Sequence, residues 1–164
     1  MLGAIQEREV CAVNGPARQE ALARLDVLVG EWELRADFPG QTVPTGRSVF
    51  EWTLDGRFLA QHTEVPLAEA PDTMSVIAVD PETGGYTQHY FDSRGVVRLY
   101  AMTFVDGLWQ LVREAPDFSP LSFRQRFTGQ FSADGNTIRG AWEIAKDASA
   151  AWEHDFALTY HRSR

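Results

Sequence analysis

A chain of 164 residues with 44% hydrophobic content is long enough for one domain whose core needs no covalent staples. Its formal net charge of −8, with no block of Lys and Arg to offset it, opposes binding to nucleic acid or to an anionic membrane surface. Cys11 is the single cysteine, so no disulfide forms within the chain and the reducing cytoplasm is the simplest location.

Residues 1–15 lack periodicity and read as a flexible arm, in which Glu7, Arg8 and Glu9 interrupt any apolar run of the kind a secretory peptide needs. No later run is long enough to span a membrane. The single domain is therefore expected over 16–164, and it opens with a helix. Asn14 or Gly15 can cap it, Pro16 suits its first turn, and Gly30 stands where a left-handed C-terminal cap belongs. Leu22, Leu25 and Leu28 or Val29 fall on one face, with Glu20 and Arg24 paired on the other. So short a helix must pack on a larger surface.

From Trp32 onward the hydrophobic period becomes two and stays so to the end. Asp55-Gly56, the 81–85 segment, Ser93-Arg94-Gly95, Asp106-Gly107 and Asp134-Gly135 supply turn chemistry between strands. These turns delimit about ten strands, near 31–38, 46–54, 57–66, 73–80, 85–92, 95–105, 107–115, 121–132, 136–146 and 150–161. Short links force antiparallel neighbours. A meander of this length either closes into an up-and-down barrel, which removes its edges, or forms two orthogonal sheets that nearly close. The fold class is all-β, with the helix capping one end.

Strand parity assigns the later faces. In the eighth strand Phe123, Gln125, Phe127, Gly129 and Phe131 are expected inside, and Arg124 and Arg126 face solvent. Ile138, Gly140, Trp142 and Ile144 share the inward face of the ninth strand, and Trp152, His154, Phe156, Leu158 and Tyr160 that of the tenth. The sixth strand has apolar groups on both faces, which leaves Arg98 unassigned. The candidate ligand site is thus a wall of Phe123, Phe127, Trp142, Phe156 and Tyr160, with His154 as polar anchor. His62 and His89 join it if their faces agree.

Other chemistry finds little footing. The histidines show no metal-ligand spacing, no Gly-x-Ser-x-Gly elbow is present, and Gly84-Gly85 opens a strand where a phosphate cradle would need a helix. Cys11 lies in the arm with no base nearby in sequence, and His161 sits among terminal arginines as a solvated side chain.

The helix running into Gly30-Glu31-Trp32, followed by this number of strands, resembles the calycin superfamily, which takes in lipocalins, fatty-acid-binding proteins and nitrobindin-like proteins. The segments 25–32, 52–59 and 90–95 are similar to those of a bacterial calycin-type family of unknown function, and the resemblance spans about 20–162. It implies that Trp32 is the plug at the closed base of the barrel, a role that requires an acceptor for its indole N–H. A nitrobindin-like reading implies a haem whose axial ligand would be His154, although the glycine-rich first strand of those proteins is replaced here by 33–39. The fatty-acid clamp has no match, since Arg124 and Arg126 face out and the last strand reads Tyr160-His161-Arg162.

Binding of a small hydrophobic or aromatic molecule inside the barrel, with no cofactor, is the leading expectation. The first alternative is an acid–base enzyme, an isomerase, dehydratase or cyclase, using His154 with Glu51 or Glu64. Haem binding is the second. A homodimer would use an outer face carrying Tyr90, Tyr100 or Trp109.

Overall fold

The computed structural model describes residues 15–163, so the arm expected over 1–15, with Cys11, lies outside the described residues but for Gly15. Among them are one α-helix, α1 (Pro16–Arg24), a 3₁₀ turn (Leu25–Leu28) and ten strands. These are β1 (Gly30–Asp37), β2 (Gly46–Thr53), β3 (Phe58–Glu64), β4 (Thr73–Val79) and β5 (Tyr86–Asp92), then β6 (Val97–Val105), β7 (Leu108–Arg113), β8 (Arg124–Phe131), β9 (Thr137–Ala145) and β10 (Glu153–Arg162). Each strand pairs antiparallel with the next, and β10 returns to β1 with Trp32 opposite Arg162 and Asp37 opposite Ala157. The sheet is a closed barrel, and closure rather than an orthogonal sandwich satisfies every strand edge.

The two ends of the barrel differ. At one end the connections 54–57, 80–85, 106–107 and 132–136 are tight turns. Asp106 and Gly107, at φ 52° and 72°, form the two-residue loop whose twist matches the strands it joins. The opposite end carries the longer connections 38–45, 65–72, 114–123 and 146–152, with only 93–96 short. Helix α1 lies across the tight-turn end. Tyr86 donates its hydroxyl to the Ala21 carbonyl at 2.7 Å, Arg18 donates to the Arg57 carbonyl at 2.8 Å, and Trp52 donates to Asp26 at 3.0 Å.

The face the helix buries is set by Ala21, Leu25 and Leu28, with Leu22 only partly covered. Gly30 also has a different task from the C-terminal cap expected of it. Val29 is already extended, at φ −57° and ψ 132°, and Gly30 opens β1 at φ +125°, a conformation that disfavours any side chain. A Cβ there would stand 3.1 Å from Arg162 Nη1, so the glycine also makes room for that guanidinium.

Trp32 is the plug that the resemblance implies. Its ring is fully buried, its N–H donates to the Leu28 carbonyl at 2.8 Å, and Phe131 and Tyr160 meet it edge-on. Arg162 covers the outside: its guanidinium carbon is 4.2 Å from the Trp32 ring centre, and its N–H groups donate to the carbonyls of Val29 at 2.8 Å and Val27 at 2.6 Å. The 3₁₀ turn would otherwise end in unpaired carbonyls over an apolar floor.

At the other end a buried ion pair holds the 114–123 connection. Arg113 meets Asp117 through two bonds, of 2.7 and 2.8 Å, and Asp117 also accepts the Leu99 and Ser119 backbone N–H groups. The Arg113 guanidinium, with these N–H groups behind it, holds the Asp117 carboxyl well below the usual carboxylate range against the opposing effect of burial. Burial would raise Asp92, yet hydrogen bonds from Arg94, Val96 and Tyr90 bring it down to about 2.

Two outcomes are expected in urea unfolding. Trp32→Ala loses about 3–5 kcal/mol of stability, and Arg162→Ala, which strips donors from the Val27 and Val29 carbonyls, loses about 1–3 kcal/mol. Carboxyls depressed in the folded state contribute stability above the ordinary value of about 4 and lose it as pH falls toward the folded value. The unfolding midpoint should therefore be level from neutrality to about pH 5 and fall steadily below about pH 4, and Asp117→Asn should flatten that fall.

Candidate functional site

Between the Trp32 plug and the long loops the barrel encloses a cavity of about 440 Å³. Its two sides are chemically different. Strands β7 to β10 contribute Trp109, Leu111, Phe127, Trp142, Phe156 and Tyr160, while β1 adds Leu34 and Ala36. Strands β3 to β5 contribute Gln61, Thr63, Ser75, Gln88 and Tyr90. The cavity reaches the surface between 38–45 and 65–72, where Phe38, Gln41, Leu67 and Glu69 form its rim. Phe38 stacks on Phe156 at 4.3 Å and ties the first of these loops to the aromatic side.

The aromatic side is built by parity together with two glycines. Gly129 and Gly140 face each other across β8 and β9, and the Phe127 ring lies over them. A Cβ at Gly140 would fall 2.6 Å from the Phe127 ring and one at Gly129 would fall 2.8 Å from it. Trp109 meets Phe127 edge-on at 5.0 Å and Trp142 is tilted against it at 5.3 Å, so the three rings form one continuous surface. The absent side chains set how far that surface stands from the cavity centre.

The polar side comes from consecutive hairpins whose inward residues lie in register. Gln61 is opposite Ser75, and Ser75 is opposite Tyr90. Ser48 and Thr63 share a hydrogen bond of 2.9 Å behind this row, and Gln61 donates to Ser48 at 3.0 Å. Tyr90 donates its hydroxyl to Asp92 at 3.0 Å, and burial drives its ionisation far above the ordinary tyrosine range. Tyr160 is pushed up to about 12 by burial, with Gln61 opposing the shift. Gln88 Oε1 and Trp109 Nε1 are buried with no hydrogen-bond partner among the described residues. Among the described residues no Lys, Arg or His lines the cavity, and the one charged side chain is Glu69 at the rim.

Four of the residues expected at the site, Phe127, Trp142, Phe156 and Tyr160, line the cavity together. Phe123 does not: it precedes β8 and sits under the Arg98 guanidinium, 5.2 Å away, in a separate surface depression with Val96 and Phe118. His154 is a correction of face. The strand is bulged between His154 and Phe156, which places His154 opposite Glu143 and leaves it exposed. The cause is Trp152, which lies over the outward Arg124 and Arg126 at 4.8 and 4.5 Å and draws the start of β10 to the outer surface. Trp152 itself is therefore also outside.

His62 and His89 alternate with the inward Gln61, Thr63, Gln88 and Tyr90, so both face out. His62 is 3.9 Å from Glu51 and His89 is 3.3 Å from Thr87. Tyr100 and Trp109, expected on an outer dimer face, are only 3% and 1% exposed, and Tyr90 lines the cavity. The large apolar side chains exposed on outer strand faces include Met74 and Leu99. Arg98 shares the parity of Tyr100 and Met102 and faces the open end, donating to Gln125 at 2.7 Å. His161 is partly buried against Thr137 instead of fully solvated.

With His154 outside and no described histidine lining the cavity, an imidazole-ligated haem has no ligand there, and the residues present do not fit that group. Among the described residues no three His, Cys, Asp or Glu side chains stand together as a metal site. The inward polar residues Gln61, Thr63, Ser75 and Gln88 are the ones sequence reasoning missed. Alternation of Leu59, Gln61 and Thr63 in β3 was the available signal, masked because Ala60 on the opposite parity is also buried.

The fold and cavity together define an all-β, closed ten-strand antiparallel barrel with one N-terminal capping helix, sealed at one end and hollow at the other. Comparison with protein-family models and with curated proteins yields no match. Among solved structures, the crystal structure of Rv2717c from M. tuberculosis is similar, with a TM-score of 0.57 over 92% of this chain and 99% of that chain at 16% sequence identity. At that identity the likeness is one of fold.

Gly140→Ala tests the glycine platform. The added methyl should push Phe127 into the cavity, costing about 1–3 kcal/mol of stability and weakening uptake of any cavity ligand. Urea unfolding reads the first effect, and quenching of tryptophan fluorescence on ligand addition reads the second.

Proposed function

We propose that the protein is a calycin-type binding protein that carries one small hydrophobic or aromatic molecule inside the barrel. The observation that carries this reading is the 440 Å³ cavity walled by Trp109, Phe127, Trp142, Phe156 and Tyr160, a volume within the usual range of small-molecule sites. Trp32 seals the base, so the ligand enters between 38–45 and 65–72. Rigid rings give the wall a large apolar area with little side-chain entropy left to lose.

Binding is favoured over acid–base catalysis by what the cavity lacks. A general acid or base works best with a pKa near the working pH. Among the described residues the titratable groups lining the interior are Tyr90 and Tyr160, both driven upward by burial, and Glu69 stands only at the rim. Glu51 and Glu64, the carboxylates proposed for such chemistry, are exposed on the outside of their strands. A cytoplasmic setting belongs to the same proposal and rests on the single cysteine, and the charge of −8 supports a small molecule over nucleic acid as partner.

N-phenyl-1-naphthylamine, a neutral aromatic dye, provides the test. It should bind with one-to-one stoichiometry, gain blue-shifted emission and quench the cavity tryptophans. Ala36→Phe, which fills the cavity from β1, should weaken binding by about tenfold or more while the far-UV circular dichroism stays that of the parent. Absence of dye uptake by the parent protein would reject the reading.

A further inference from the structure

We propose that the outer face of β4 to β7 is the contact surface of a homodimer, packed against the same face of a second copy of this chain. Closure of the barrel leaves no free strand edge, so a partner cannot extend the sheet and has to pack on side chains. Charge divides the outer surface of the strands into two sectors. Six strands carry charge outside, among them Glu33 on β1, Arg47 on β2, Glu64 on β3, Arg126 on β8, Arg139 on β9 and Glu153 on β10. The four strands between β3 and β8 hold only three charged side chains, Asp92, Arg98 and Arg113, and all three stand at inward positions of their strands. Among the described residues the outward side chains of β4 to β7 therefore include no Asp, Glu, Lys or Arg.

Register makes this sector continuous. Met74 is opposite Phe91, and Thr87 is opposite Ala101, which in turn is opposite Val112. Met74 and Leu99 are 39% and 37% exposed, and the small Thr87 and Ala101 are exposed between them. A second copy is the occupant that charge selects. With a net charge of −8 on each chain, two copies repel where acidic faces meet, and here they touch with no charged side chain opposed or left unpaired. A strongly basic or acidic partner would find no counter-charge on this face. A two-fold dimer also needs one patch that serves both subunits, which a neutral face does without complementary pairs. The four strands are six to nine residues long and present a face of roughly 20 by 25 Å, about 1,000 Å² in total for two copies. That is at the low end for specific association, so the dimer is of about micromolar strength.

Sedimentation equilibrium of the full chain at neutral pH tests the proposal. From about 1 to 200 µM the mass should rise from 18.4 kDa toward twice that value, and added sodium chloride should strengthen association by screening the net charge. Ala101→Glu and, separately, Thr87→Glu should each raise the dissociation constant by about a hundredfold with unchanged far-UV circular dichroism. Arg139→Gln, in the charged sector, should leave it unchanged. A chain that stays monomeric at the highest concentration would overturn the proposal. So would a dimer that both face variants leave intact or that salt dissociates, since its contact would then lie in the charged sector. A monomer that instead floats with phosphatidylcholine vesicles, and loses this with Ala101→Glu, would overturn it by assigning the face to a lipid surface.

Discussion

The base of the barrel depends on one cluster, in which the Trp32 indole is held from below by the Leu28 carbonyl and from outside by Arg162. The 3₁₀ turn before β1 exposes carbonyls at the point where an apolar floor is needed, and Arg162 arrives from the last strand, 133 residues after Val29, to satisfy them. First strand, last strand and helix are thereby joined in one place. Closure of β1 on β10 sets the register of this meeting, since Trp32 and Arg162 are direct partners across that seam. The cavity above exists because the floor is fully occupied by one large ring that leaves the rest of the inward residues free to line a space.

Much of this is readable in the sequence, and the division between what is and is not follows physical lines. Turn residues with positive φ are constrained locally, so Asp106-Gly107 and Asp134-Gly135 mark their hairpins without reference to the rest of the chain. Alternation in 121–132 gives Phe127 its side for the same reason. Parity fails at the start of β10 because a bulge costs only one residue and leaves no local composition to betray it. Trp152 fits an inward position by hydrophobicity, and its partnership with Arg124 and Arg126 is a contact between distant segments. His154 inherits the error. The outward placement of His62 and His89 is a different matter: histidine invites a functional reading, while the glutamines beside them, at opposite parity, occupy the interior.

The resulting cavity is two-faced. One half is ring surface shaped by glycines that let Phe127 lie flat, and the other is a ladder of neutral hydrogen-bonding groups on three successive strands. Neither half carries charge. An aqueous interior would call for more polar groups, and a purely apolar store would call for fewer, because each buried amide or hydroxyl costs stability unless it is paired. Under the proposed binding reading, Gln61, Thr63, Ser75 and Gln88, at strand positions that could hold valine, make the cavity selective for orientation as well as for bulk.

The chain enters the barrel through α1 and leaves it through β10, and both of these lie at the base sealed by Trp32 and Arg162. Gly15 and Ser163 thus lie on the far side of the molecule from the cavity mouth. The loops 38–45 and 65–72 are therefore the surface most distant from both of these points.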